Sequence, residues 1–121
     1  MLYTYRATVI RVVDGDTVDV DVALGFDVFT RNRFRLDGID APESYGPKAS
    51  EAGHAAKQYL TDLIPPGTPV IIQTVKDRKE KYGRYLATLF PLDADGTAMT
   101  TSVNQTLVTT GHAKPYTGGP R

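Results

Sequence analysis

Carboxylates and arginines recur along this chain at spacings suited to chemistry on a phosphodiester. Five groups carry the pattern, in order: Asp14-Gly15-Asp16-Thr17, Arg35, Asp40-Ala41-Pro42-Glu43, Lys81-Tyr82-Gly83-Arg84 and Tyr116. Asp16 and Asp40 offer hard oxygen ligands. The chain has no cysteine, and neither His54 nor His112 sits in a His-x-x-x-His or His-x-x-Glu arrangement. An all-oxygen set favours Ca²⁺ or Mg²⁺ over Zn²⁺. Arg35 and Arg84 bring planar guanidinium forks that hold two phosphate oxygens at once, a geometry lysine cannot copy. Glu43 is a spare carboxylate able to take a proton from water.

Each group also has a plainer reading. Asp14-Gly15 is a hairpin-turn dipeptide. Pro42 and Glu43 can open a helix. Arg35 and Arg84 can be exposed strand residues, and Lys76–Arg84 a solvated loop of mixed charge. What the turn reading leaves unexplained is Asp16. It shares parity with Val18, Val20 and Val22, so strand alternation aims it at the core. A buried carboxylate is costly unless a cation or an arginine pairs with it.

The elements that must position these groups follow from periodicity. Residues 3–13, 16–22, 28–36, 68–75 and 84–90 read as strands. Between the third and fourth, Ala49, Ala52, Ala56, Leu60 and Leu63 fall at helical spacing over residues 48–64, and Pro65-Pro66-Gly67 stops the run. Residues 101–110 read as a second, threonine-rich helix ended by Gly111. Five strands and two helices predict an OB-fold, a small five-stranded β-barrel with mixed α+β content. It occupies residues 1–116, and 117–121 form a flexible tail.

Length and composition bound the rest. A chain of 121 residues is enough for one domain and too short for two. It has no run of apolar residues long enough to span a membrane and no signal-peptide core at its start, which predicts a cytoplasmic protein with no membrane partner. Net charge is zero. Basic residues nevertheless cluster: three arginines oppose one aspartate over 31–37, and five basic residues oppose two acidic ones over 76–84. A local phosphate-binding surface is compatible with overall neutrality. Asp19 and Asp21, of opposite parity to Asp16, are expected to be merely solvated.

The segments VVDGDTVDV, RFRLDGIDAPES and KYGRYLA resemble the signature segments of the staphylococcal-type nucleases, or thermonucleases, in order and spacing, over about residues 5–116. The stretch 21–28 is similar to that of short phage-type members. The resemblance implies an OB-fold and a Ca²⁺-dependent hydrolase that acts as a monomer on DNA and RNA and leaves 3′-phosphates. It implies Asp16, Asp40 and the backbone carbonyl of Ala41 as Ca²⁺ ligands, with Asp14 behind them. Glu43 is then the general base or the group that orients water, and Arg35 and Arg84 hold the scissile phosphate. Lys81 and Tyr82 contact a nucleotide phosphate, and Tyr116 flanks a base. Position 41 is Ala where the family reference has Thr, which spares a backbone ligand and removes a hydroxyl. Two other readings stand beside this one. One is a non-catalytic OB module that binds nucleic acid. The other is a structural or interaction domain whose carboxylates hold a stabilising cation.

Overall fold

Alternation of valine with polar residues drives the first hairpin. Strand β1 (Tyr3–Asp14) buries Ala7, Val9 and Val12, and β2 (Thr17–Gly25) buries Val18, Val20 and Val22. They pair antiparallel, with Asp14 opposite Thr17. The turn residues are therefore Gly15 and Asp16, one position later than the Asp14-Gly15 dipeptide suggests. Strand β3 (Val28–Leu36) follows through a tight turn at Phe26 and Asp27, both in the left-handed region at φ 55° and 59°. Such two-residue turns match the twist of the strands but favour Gly or Asn. Here Phe26 occupies one, fully exposed.

The computed structural model describes residues 3–76 and 85–116. After β3 come the short β4 (Ile39–Asp40), helix α1 (Glu51–Leu63), β5 (Pro69–Lys76), β6 (Tyr85–Pro91), helix α2 (Val103–Thr109) and the short β7 (Lys114–Pro115). The five long strands close a barrel in the order β1-β2-β3-β6-β5. Closure comes from a parallel pairing of β3 with β6, Phe34 opposite Tyr85 and Leu36 opposite Ala87. Pairing β1 with β5 completes the ring. This is the expected OB-type barrel. β4 and β7, which residue patterning does not reveal, pair with each other outside it.

The barrel is filled by Val9, Val18, Val20, Phe34, Leu36, Ile72 and Leu89, all but shut off from solvent. Helix α1 is capped by Ser50, whose hydroxyl accepts from the Gly53 amide. Its buried stripe is Gly53, Ala56 and Leu60, continued by Ile64. The expected stripe began at Ala49 and Ala52. Both are exposed, because the helix starts only at Glu51 and turns Gly53 inward instead. Helix α2 is anchored by a buried amide. Asn104 donates to the carbonyls of Asp37 (2.9 Å) and Ala87 (3.0 Å) and accepts from the Leu89 amide (3.2 Å). This spends its polar groups on three segments at once and ties α2 to the barrel. No helix among the described residues is long and apolar enough to cross a membrane.

Candidate phosphate and cation site

The end of β1, the start of β2, the end of β3 and the loop after β4 converge on one cavity of about 650 Å³. Asp14, Asp16, Arg35, Asp40, Ala41 and Glu43 all line it. Residues spread over thirty positions of sequence are thus brought together by the β1–β2 and β2–β3 pairings and by the bonds from the Ala41 and Ser44 amides to Asp16 and Asp14. Asp16 is only 2% exposed, as its parity requires. One carboxylate oxygen accepts from the Thr17 hydroxyl (3.1 Å) and the other from the Ala41 amide (3.0 Å). No arginine or lysine among the described residues pairs with it.

Asp14 has a different task. Its Oδ1 accepts from the Gly15 amide (3.0 Å) and from the Ser44 amide (3.1 Å). The second bond fastens the backbone beside Glu43 to the β1–β2 turn. The Glu43 carbonyl accepts from the Ser50 amide at the head of α1 (3.1 Å). Two glycines make this seat possible. A Cβ on Gly53 would lie 1.7 Å from the Glu43 carbonyl oxygen, and one on Gly15 would lie 2.8 Å from the Ala56 Cβ. The Glu43 loop therefore rests on bare backbone. Its side chain is exposed, with no hydrogen bond or ion pair among the described residues.

Arg35 contributes the cation. Its Nε is buried and has no hydrogen-bond partner. Arg35 lines the cavity, and a buried guanidinium nitrogen that no group of the chain accepts from leaves its charge uncompensated. Its strand neighbours behave otherwise. Arg31 and Arg33 each form a bidentate pair, with Asp21 (2.7 and 3.0 Å) and Asp19 (2.8 and 3.2 Å). Arg11 also reaches Asp19 at 3.1 Å. Asp19 and Asp21 are therefore paired and not merely solvated. The hydrogen bond from Arg33 holds the Asp19 carboxyl below its ordinary value, and the one from Arg31 does the same to Asp21. The basic cluster of residues 31–37 is largely neutralised, leaving Arg35 as its free charge.

The fit of a divalent cation is tested by the donor set. Asp16 is a buried acid satisfied only by two neutral donors, and Asp40 and the Ala41 backbone border the same cavity. Among the described residues no group of three or more His, Asp or Glu side chains gathers to hold an ion. Two carboxylates and a carbonyl would make a sparse oxygen set with room for water, of the kind that suits a hard cation.

Lys81, Tyr82 and Arg84 lie outside the described residues. Tyr116 is not among the residues lining the cavity. Its amide donates to the Gly38 carbonyl (2.8 Å), continuing the β4–β7 pairing in which Lys114 faces Asp40. His54 is exposed, and His112 stacks on Tyr59 with ring centroids 4.1 Å apart and is not among the residues lining the cavity. Sequence reasoning missed Arg33, Tyr45, Lys48 and Ser50 in the wall and Gly53 beneath the loop. The one available signal was that only seven residues separate Glu43 from the helix head, too few to carry Tyr45 and Lys48 away.

A sequence profile described as "Staphylococcal nuclease homologue" matches residues 33–120. The micrococcal nuclease of Shigella flexneri is 34% identical over 114 residues, 93% of this chain and 59% of that protein. The thermonuclease of Staphylococcus hyicus is 37% identical over 90 residues, 69% of this chain and 46% of that protein. Endonuclease YhcR of Bacillus subtilis is 31% identical over 119 residues, 93% of this chain but 9% of its own length. The chain thus spans less than two thirds of each of these relatives. With the profile covering most of its length, including Arg35, Asp40 and Glu43 of the cavity, the chain belongs to the staphylococcal nuclease family.

Proposed function

We propose that this protein is a nuclease that hydrolyses phosphodiester bonds in DNA and RNA with the aid of a divalent cation, Ca²⁺ by preference. The observation that carries the reading is the buried, unpartnered Nε of Arg35 in a cavity it shares with an exposed, unpaired Glu43 and a buried Asp16. A phosphate oxygen supplies the acceptor that Arg35 lacks. The printed names of three relatives, an endonuclease, a micrococcal nuclease and a thermonuclease, support the same activity.

Asp16, Asp40 and the Ala41 carbonyl would hold the cation, with Asp14 fixing the backbone behind them. When bound, the cation would neutralise charge on the phosphate and favour ionisation of a nearby water. Arg35 binds the scissile phosphate and stabilises the negative charge that grows on its equatorial oxygens. Glu43 accepts a proton from the attacking water as the water oxygen bonds to phosphorus. The bond from phosphorus to the 5′ oxygen breaks on the opposite side, and that oxygen takes up a proton from solvent, leaving a 3′-phosphate. Arg84 serves as the second fork, Lys81 and Tyr82 contact a neighbouring phosphate, and Tyr116 flanks a base.

The test is cleavage of plasmid DNA and of an RNA oligonucleotide with Ca²⁺, with Mg²⁺ and with excess chelator. Cutting is expected with Ca²⁺, weakly with Mg²⁺ and not with chelator. Undiminished cutting in chelator removes the cation from the mechanism. Binding without cutting under every cation assigns the chain to a non-catalytic module. Glu43→Gln should slow cutting by about 10²–10⁴-fold. Calorimetric Ca²⁺ affinity should change less in that variant than in Asp16→Asn or Asp40→Asn.

A further inference from the structure

The cavity extends past the carboxylates to a wall that the proposed reaction does not use. Tyr45, Lys48 and Ser50 form it, on the loop that joins Glu43 to helix α1. Tyr45 is 63% exposed and makes no ring contact with another aromatic among the described residues. The loop that carries it is held at both ends. Ser44 donates to Asp14, Ser50 donates to the Glu43 carbonyl, and Ala49 donates to the Gly46 carbonyl (3.1 Å). Gly46, at φ 81°, makes the turn in between. An exposed aromatic ring on an anchored loop loses little entropy when something stacks on it.

Charge points the same way. Three cationic side chains line the cavity among the described residues: Arg33, Arg35 and Lys48. Arg33 is committed to Asp19. Lys48 is exposed and has no carboxylate partner among the described residues. Two uncommitted cations and one uncommitted ring therefore share a cavity larger than a phosphate and an ion need. Alternating stacking faces and cations are what a nucleic-acid chain uses.

We infer that the Glu43–Ser50 loop carries a nucleotide-binding subsite, with Tyr45 stacking on the base next to the scissile phosphate and Lys48 meeting the adjoining phosphate. The subsite rests on the nuclease reading and goes beyond it. It makes the loop that bears the general base also the loop that grips the neighbouring nucleotide, a contact that adds to binding and so acts on KM.

The experiment measures Ca²⁺-dependent cleavage of a short oligothymidylate, and of the same strand with one abasic residue beside the cut. In the wild type, removing the base should raise KM for that cut by about 5- to 150-fold, the range for one lost stacking contact. Tyr45→Ala should raise KM on the intact strand similarly, with kcat little changed, and should lose nothing further on the abasic strand. Tyr45→Phe should restore the wild-type value. Lys48→Ala should flatten the slope of log(1/KM) against log salt by about 0.7, one phosphate contact on a single strand. An unchanged KM in Tyr45→Ala, or losses that multiply when the variant meets the abasic strand, overturns the subsite while leaving the nuclease intact. A wild type that cuts neither strand overturns the nuclease reading itself. Since Tyr45 is exposed, thermal melting of the variants should match the wild type, and matched melting assigns a KM change to binding.

Discussion

Three arginines on β3 point along the same side of the strand, and they meet different fates. Arg31 stands opposite Asp21 and Arg33 opposite Asp19, whereas Arg35 stands opposite Thr17. The first two are tied into bidentate ion pairs on the barrel wall. The third, two residues further on, ends in the cavity with a buried nitrogen that nothing accepts from. Residue type, strand and spacing are shared. Only the cross-strand partner differs. An exposed ion pair contributes little to stability, about 0–1 kcal/mol, and a charge so paired is less available to a ligand. A charge left unpaired at a barrel mouth is poised for an anion. The ladder separates structural from chemical arginine by a single interruption in the row of aspartates.

The largest effect should come from the arginines themselves. Arg35→Lys should lower kcat by about 10²-fold or more, the scale for losing one preorganised charge donor. Arg31→Lys should leave kcat within about twofold, since that side chain faces Asp21 and does not line the cavity. Steady-state cleavage of the two variants checks the contrast, and equal losses would break it.

Completing the ladder should come next. Thr17→Asp places a carboxylate opposite Arg35 and should cut turnover about tenfold or more, by pairing the cation that phosphate needs. Thr17→Asn keeps a donor for Asp16 and adds no charge, so it should stay much closer to wild type. If the Asn variant is as slow as the Asp variant, the loss comes from Asp16 and not from a quenched Arg35.

The smallest effect lies on the paired side. Asp19 accepts from Arg33 and Arg11, and its carboxyl is held below the ordinary value of 3.8, chiefly by the hydrogen bond from Arg33. A carboxyl depressed in the folded state stabilises above its unfolded value. That stability is lost as pH falls through the lower folded value. Asp19→Asn should therefore cost about 1 kcal/mol or less near neutrality, since both arginines are half exposed or more. The difference from wild type should shrink as pH falls below 3.8 and disappear once the pH is under the lower folded value. Denaturant melts at neutral and acid pH check this, and a gap that widens in acid would reverse the assignment.

Much of the barrel was legible in the sequence because strand burial has a period of two. Val18, Val20 and Val22 announce the inward face of β2, and the same parity puts Asp16 inside. Helix α1 was legible in extent but not in facing. Alanine is compatible with either side of a helix, and the buried stripe was chosen by Gly53, whose missing side chain is visible only once the Glu43 carbonyl lies on it. β4 and β7 are two residues each, too short for any period to show. Their pairing exists because the chain returns from α2 to Asp40.

The sequence by itself determined the kinds of group available: carboxylates able to hold a cation, arginines able to grip a phosphate and a spare glutamate, on a chain whose patterning makes a barrel. Composition and alternation are local properties, so they can be read without the fold. Tertiary structure decided which of those groups are free. The register of β2 against β3 assigned Asp19 and Asp21 to Arg33 and Arg31 and withheld a partner from Arg35. The bond from Ser44 to Asp14 and the seat on Gly53 set Glu43 at the cavity, with Tyr45 and Lys48 beside it. Whether a charge is spent or available depends on what stands across from it, and that neighbour is chosen by strand register and loop closure between residues far apart in the chain.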